Sequence, residues 1–117
     1  METILDILKV VACLGLIVFG AIAIVRPRTA AALVQMRAES PRALTETRVN
    51  LGGFIAGMGV IPLLLNDPAA YQVAGGAYLA AVGGRVVGMW LDRPQINVAF
   101  IIILAFEIVS AVVLLLV

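Results

Sequence analysis

Residues 96–117 read INVAFIIILAFEIVSAVVLLLV, an almost unbroken apolar run with a single charged residue, Glu107. A helix of about 20 apolar residues is long enough to cross the hydrocarbon core of a bilayer. The run lacks the period-two alternation of barrel strands and is longer than such strands are. It therefore predicts a transmembrane helix.

Three more apolar segments precede this run, at about residues 4–25, 41–65 and 69–91. The last three segments are joined by two short turns, Asn66-Asp67-Pro68 and Asp92-Arg93-Pro94. Turns this short force consecutive helices to be antiparallel neighbours. The sequence predicts an all-α fold, an integral membrane four-helix bundle that occupies residues 1–117 as one transmembrane domain.

The composition agrees with a membrane protein. Of the 117 residues, 63% are apolar and 13% are charged, and the mean hydropathy is +1.15. A soluble domain of this size could not bury so much apolar surface. The net charge of +1 offers no field for nucleic acid, and the absence of histidine removes most zinc and haem chemistry. We expect no metal, no cofactor and no nucleic-acid partner.

The segment of residues 26–40 differs from the four apolar runs. Ala32, Leu33 and Met36 recur at helical spacing and are flanked by Arg28 and Arg37. This pattern is typical of a short helix on the cytoplasmic membrane surface. A solvated loop is the alternative interpretation.

Positive residues indicate the orientation of the chain. The first and third connections, with the residues beside them, carry six arginines: Arg26, Arg28, Arg37, Arg42, Arg48 and Arg93. The Asn66-Asp67 turn has no positive residue, and Lys9 alone marks the N-terminal end. The positive-inside rule places both termini outside the cytoplasm.

Small residues recur along two of the predicted spans. Gly76, Ala80, Gly84 and Gly88 form a stripe on the third span, and the second span has the pair Gly53 and Gly57. Small residues let helices approach closely in lipid. We expect these positions to pack helices, within the bundle, against a protein partner or in a homo-oligomer. The alternative is that they leave room for a lipid tail or a flat apolar ligand.

Glu107 is the most informative residue, because it lies near the middle of its span. Ionisable groups at this depth are costly and usually face a partner inside the bundle. Arg85 lies about two turns before the end of the third span, the hairpin neighbour of the fourth. We expect Arg85 and Glu107 to pair, directly or through Asn50, a water or a lipid headgroup.

Further polar residues extend this pair into a column that runs from the cytoplasmic surface to the bundle centre. Its members are Glu46, Arg48, Asn50, Arg85, Asp92 and Glu107. The column can be a structural ion-pair network, a site for a lipid-like ligand with a polar head, or an acid–base site. The lack of histidine and of a second carboxylate in mid-membrane weighs against a proton path.

Several of these residues carry a resemblance to a known family. The stretch from Glu46 to Gly53, the dipeptide Gly84-Arg85, the Asp92-Arg93-Pro94 turn and Glu107 together resemble a bacterial four-helix membrane family, domain of unknown function 4345 (DUF4345). The resemblance covers nearly the whole chain, and it implies that the chain lies in a bacterial inner membrane. It implies that Glu46, Arg48, Arg85 and Glu107 form the polar motif of the family, and no catalytic role comes with it.

A more distant similarity links the chain to DoxX-like proteins and to the scaffold protein of ergosterol synthesis. That similarity implies an accessory, assembly or lipid-handling role, by analogy of fold alone.

The sequence therefore favours a non-enzymatic membrane protein. It predicts either the binding of a lipid-like molecule or an accessory or assembly subunit of a membrane complex. The alternative is a small isomerase-like enzyme that acts on a lipophilic substrate, with Glu107 as acid or base and Arg85 orienting it. A channel or transporter is disfavoured, because four short spans leave little room for a pore and none of them looks broken.

Overall fold

The computed structural model describes residues 2–116, which form five helices and no strand. Their bounds are α1 Glu2–Val25, α2 Pro27–Leu33, α3 Pro41–Leu65, α4 Pro68–Asp92 and α5 Val98–Leu116. The predicted all-α class is confirmed. The predicted spans 4–25, 41–65, 69–91 and 96–117 correspond to α1, α3, α4 and α5.

Three of these helices are long and apolar enough to cross a membrane: α1 from Thr3, α3 and α5. Large apolar side chains such as Ile101, Ile102 and Leu116 are exposed on them, as a protein surrounded by lipid requires. The helix α4 is as long as α3, but it is not among the three. Arg85, two tyrosines and several glycines make it less apolar.

Local sequence signals set the helix ends. The Ser40 hydroxyl accepts a hydrogen bond from the Ala43 amide (3.0 Å), and the Asp67 carboxylate accepts one from the Ala69 amide (2.9 Å). A proline follows each of these caps at the first helical position, where its missing N–H costs nothing. The helix α4 ends where Arg93 adopts a left-handed conformation, with φ of 47°.

The helix α3 departs from the regular geometry that its sequence predicts. Its residues Arg48–Gly53, RVNLGG, form a π-helical segment between two α-helical stretches. Such widened turns occur frequently at functional sites. The segment coincides with the stretch on which the family resemblance rests, and it leaves Val49 and Asn50 exposed.

The segment of residues 26–40 is helical over Pro27–Leu33, and its place on the membrane surface stays a prediction. The predicted short helix therefore forms, and it ends before Met36. Pro27, Ala30 and Ala31 are buried, whereas Leu33 and Met36 are exposed.

The chain divides into two compact units. The first unit comprises Met1–Ala12 and Asn66–Val117, and the second comprises Cys13–Leu65. The helix α1 therefore contributes its first turns to one unit and its remaining turns to the other. The prediction of a single domain stays a prediction.

In the first unit, α4 packs along α5. Gly75 allows a close approach, because a Cβ at this position would lie 2.9 Å from the Leu114 Cβ. The Tyr78 hydroxyl donates a hydrogen bond to the Ala12 carbonyl at 2.7 Å, and this bond is buried. The Lys9 ammonium lies over the Tyr71 ring, so the start of α1 runs parallel to α4.

In the second unit, glycines let α1 approach α3. A Cβ added at Gly20 would lie 2.6 Å from the Ala56 Cβ, and one at Gly52 would lie 2.6 Å from the Ile24 side chain. A Cβ at Gly59 would collide with the Cys13 carbonyl. Close packing in this unit therefore depends on these three glycines.

Within each unit, the glycines chosen from the sequence are not the ones at which the described residues 2–116 pack most tightly. A Cβ at Gly57, Gly76 or Gly84 would meet nothing within 4 Å, and Gly53 and Gly88 have only loose neighbours. Ala80 is exposed. The physical reason is the rotation of α4 about its own axis. Adjacent residues point about 100° apart on a helix, so Gly76 points away from α5 when Gly75 faces it. Packing of the open face of α4, which carries Gly76, Ala80 and Gly84, against a protein partner or a second copy stays a prediction.

Candidate functional site

Arg85 and Glu107 form a two-pronged ion pair in the first unit. The Arg85 Nε donates to Glu107 Oε1 at 2.7 Å, and Nη2 donates to Oε2 at 3.0 Å. Two parallel N–H bonds to one carboxylate are the strongest and most specific geometry that arginine offers. The direct pairing predicted from the sequence is confirmed.

The antiparallel hairpin of α4 and α5 brings the two residues together. Glu107 lies nine residues into α5, and Arg85 lies seven residues before the end of α4. At about 1.5 Å per residue, these positions are roughly 14 Å and 10 Å from the connecting turn. The long arginine side chain spans this small difference in depth.

The surroundings of the pair are mostly apolar. The side chains of Arg85 and Glu107 are 23% and 13% exposed. The Phe100 ring centroid lies 5.1 Å from the Arg85 Cζ, which is a cation–π distance. Sequence reasoning missed Phe100, although its position two turns before Glu107 places it on the same face of α5.

The Arg85 guanidinium keeps hydrogen-bonding capacity beyond the pair. It has five N–H groups, and two of them are used by Glu107. Among the side chains and carbonyls of residues 2–116, none accepts a bond from Nη1. An acceptor from outside the chain therefore fits this atom.

Asp92 does not join the pair. It is exposed at the end of α4, close to Gly88, and no ion pair links it to Arg85 within residues 2–116. Seven residues of helix separate the two along α4, about 10 Å of rise, which is too far for direct contact.

The remaining members of the predicted column belong to the second unit. Glu46 forms an ion pair with Arg42 at 3.6 Å, on the partly exposed first turns of α3. Arg48 donates a hydrogen bond from Nη1 to the Ile24 carbonyl. Asn50 is exposed in the π-helical segment. That these residues extend the Arg85–Glu107 pair into a column stays a prediction.

A second polar group in the first unit was not foreseen from the sequence. The Lys9 ammonium lies 3.1 Å from the Asp6 carboxylate and 4.7 Å from the centroid of the buried Tyr71 ring. The Tyr71 hydroxyl donates to the Asn66 side chain at 3.3 Å. The spacing of Asp6 and Lys9, three residues apart on one helix, was the available signal for this ion pair.

An apolar groove of about 440 Å³ lies between α1 and α5 in the first unit. Its walls contain aliphatic and aromatic side chains and one serine: Leu8, Val11, Ala12, Ile102, Ala105, Phe106, Val109 and Ser110. Phe106 also makes an edge-on contact with Tyr78, with ring centroids 6.1 Å apart. The groove is large enough for part of a hydrocarbon chain.

No group of three or more histidine, cysteine, aspartate or glutamate side chains in the described part of the chain could hold a metal ion.

Comparison with protein families identifies the chain. The model of the family described as "Domain of unknown function (DUF4345)" matches residues 4–117, and the chain belongs to this family. No curated protein and no solved structure matches the chain. The more distant similarity to DoxX-like proteins stays a prediction.

Proposed function

We propose that this DUF4345 protein is a four-helix membrane bundle that binds a lipid-like molecule through Arg85. The observation that carries the proposal is the shielded Arg85–Glu107 pair, whose guanidinium retains N–H donors among apolar helices. An N–H group in hydrocarbon without an acceptor costs several kcal/mol. A ligand with an oxygen acceptor removes that cost.

The charge of the pair defines the chemical class of the ligand. Arg85 and Glu107 together are neutral, so the site does not offer the net positive charge that would attract an anion. A carbonyl, ester or hydroxyl oxygen on an otherwise apolar molecule suits the remaining donors. The apolar groove between α1 and α5 would take a hydrocarbon tail of the same molecule.

The fourth transmembrane helix in this proposal is α4. Its 25 residues extend about 37 Å, longer than the hydrocarbon core of about 30 Å. The charge that lowers its hydropathy belongs to Arg85, and Glu107 neutralises that charge. The arginines of residues 26–48 would then face the cytoplasm of a bacterial cell, with both termini on the opposite side of the inner membrane.

The geometry favours binding over acid–base catalysis. Both oxygens of Glu107 already accept hydrogen bonds from Arg85. A carboxylate held in this way is poorly placed to take a proton from a substrate, since it must first give up one of two charge-assisted bonds.

The test compares lipids that copurify with the wild type and with the variant Arg85→Met/Glu107→Leu. Removing both charges should preserve the fold, because it leaves no unpaired charge in the bundle. After gentle extraction, native mass spectrometry should show a discrete neutral adduct on the wild type that the double variant loses. The matched control is Arg37→Ala/Glu39→Ala, which removes an exposed ion pair outside the predicted polar column and should keep the adduct.

Three outcomes would contradict the proposal. They are a wild type without an adduct, an adduct retained by Arg85→Met/Glu107→Leu, and an adduct lost equally in the control. A single tryptophan, Trp90, reports folding in each sample by its fluorescence, so a lost adduct is attributed to the site only in a folded variant.

A further inference from the structure

The second unit carries an excess of positive charge at one end. Residues 26–48 contain five arginines and two glutamates. Two of the arginines have carboxylate neighbours, since Arg37 lies 3.7 Å from Glu39 and Arg42 lies 3.6 Å from Glu46. The other three, Arg26, Arg28 and Arg48, have no carboxylate partner within residues 2–116.

Contacts within the unit bring these three arginines to the same place. The hydrogen bond from Arg48 to the Ile24 carbonyl holds its guanidinium at the C-terminal end of α1. Arg26 follows that end directly, and Arg28 lies in the first turn of α2. The helix α2 also packs against the first turns of α3 and the π-helical segment. All three arginine residues are exposed.

Apolar side chains lie beside this basic cluster. Leu33 at the end of α2 is 50% exposed, and Met36 just beyond it is 56% exposed. A positively charged surface with exposed apolar residues at its edge is typical of segments that lie among lipid headgroups. The helices α1 and α3, which end and begin at this surface, are apolar enough to cross the membrane.

We propose that the basic cluster of Arg26, Arg28 and Arg48 binds the phosphate headgroup of an anionic phospholipid, with Leu33 and Met36 among its acyl chains. Arginine suits phosphate because its planar fork donates two parallel N–H bonds to two phosphate oxygens. Arg48 uses one N–H for the Ile24 carbonyl and keeps four for the headgroup. This proposal does not depend on the function proposed for the Arg85–Glu107 pair.

The experiment places the full chain in nanodiscs that contain phosphatidylcholine with a minor fraction of phosphatidylglycerol. Native mass spectrometry counts the phosphatidylglycerol that remains bound after the disc is removed. Each arginine near a lipid surface contributes about fivefold to the binding of an anionic lipid. Arg26→Gln/Arg28→Gln should therefore lower retention roughly 25-fold, and it leaves the bond between Arg48 and Ile24 intact.

The matched control is Arg37→Gln/Arg42→Gln, which removes the same charge from the same segment. Because those two arginines already have carboxylate neighbours, we expect the control to retain most of the bound phosphatidylglycerol. Glycerol 3-phosphate in solution is the second arm, and it should not displace the lipid at millimolar concentration.

The proposal is overturned if both double variants lose the lipid equally, since the effect is then one of total charge. It is also overturned if the protein from discs of phosphatidylcholine alone retains as much phosphatidylcholine as it retains phosphatidylglycerol from the mixed discs. Complete displacement of the phosphatidylglycerol by glycerol 3-phosphate would overturn it as well. A wild type that carries no neutral adduct but retains phosphatidylglycerol would leave this proposal standing and refute the one made for Arg85.

Discussion

The Arg85–Glu107 pair should stabilise the chain in a way that depends on both partners being present. We consider Glu107→Leu, Arg85→Met and the double variant with both changes. Glu107→Leu leaves a guanidinium among apolar helices without its carboxylate, whereas the double variant leaves no charge there. The single change should therefore be more damaging than the pair of changes.

The structure sets the expected magnitude. Breaking a buried ion pair by removing one partner costs about 3–5 kcal/mol. Because 23% of the Arg85 side chain is exposed, we expect the lower end of this range, about 3 kcal/mol, for Glu107→Leu. Replacing both partners by apolar side chains of similar length should change the free energy of unfolding by about 1 kcal/mol or less. The coupling energy between the two sites is then about 2 kcal/mol or more.

The assay is unfolding in mixed detergent micelles, with increasing SDS as the denaturant and the fluorescence of Trp90 as the signal. The exposed pair Arg42 and Glu46 is the control, and Arg42→Ala/Glu46→Ala should cost at most about 0.5 kcal/mol. Additive losses, in which the double variant is as unstable as the sum of the two single variants, would refute the reasoning about an uncompensated charge.

Four further variants are tested in the same unfolding assay. Tyr78→Phe removes a buried hydrogen bond and should cost about 1 kcal/mol of stability. Unchanged stability would contradict a contribution of this bond to folding. Gly75→Ala should cost about 1–3 kcal/mol because its Cβ would lie 2.9 Å from a neighbouring atom on α5. Gly76→Ala should be neutral or stabilise by up to about 1 kcal/mol, because its Cβ would meet nothing within 4 Å. If Gly75→Ala and Gly76→Ala lowered stability equally, the finding that α4 turns Gly75 and not Gly76 towards α5 would be contradicted. Lys9→Met removes the cation–π contact with Tyr71 together with the ion pair with Asp6, and should cost about 0.5–2 kcal/mol. An effect near zero would show that neither contact contributes to stability.

Much of the local structure could be predicted from the sequence. The apolar runs mark the long helices, because a helix that meets lipid must be apolar over a length set by the bilayer. Ser40 and Asp67, each followed by proline, mark two helix starts. The pairing of Arg85 with Glu107 followed from their similar depth in a hairpin, since a charge in hydrocarbon requires a partner.

Other features of the site could not be predicted in this way. The π-helical segment at Arg48–Gly53 arises within a stretch that reads as ordinary helix. The contact of Phe100 with Arg85 requires a rotamer that the sequence does not state. The partner of Arg48 is a backbone carbonyl at the end of α1, and a carbonyl has no sequence signature.

The sequence by itself determined the helical class, the long apolar helices that could cross a membrane and the position of each charged residue along its helix. These properties depend on composition and on distance along the chain. Only the tertiary structure decided which side of each helix meets another, as shown by Gly75 packing on Leu114 while Gly76 stays open. The physical reason is that the rotation of a helix about its axis is set by the fit of two surfaces, and a glycine-rich helix offers several faces of nearly equal size.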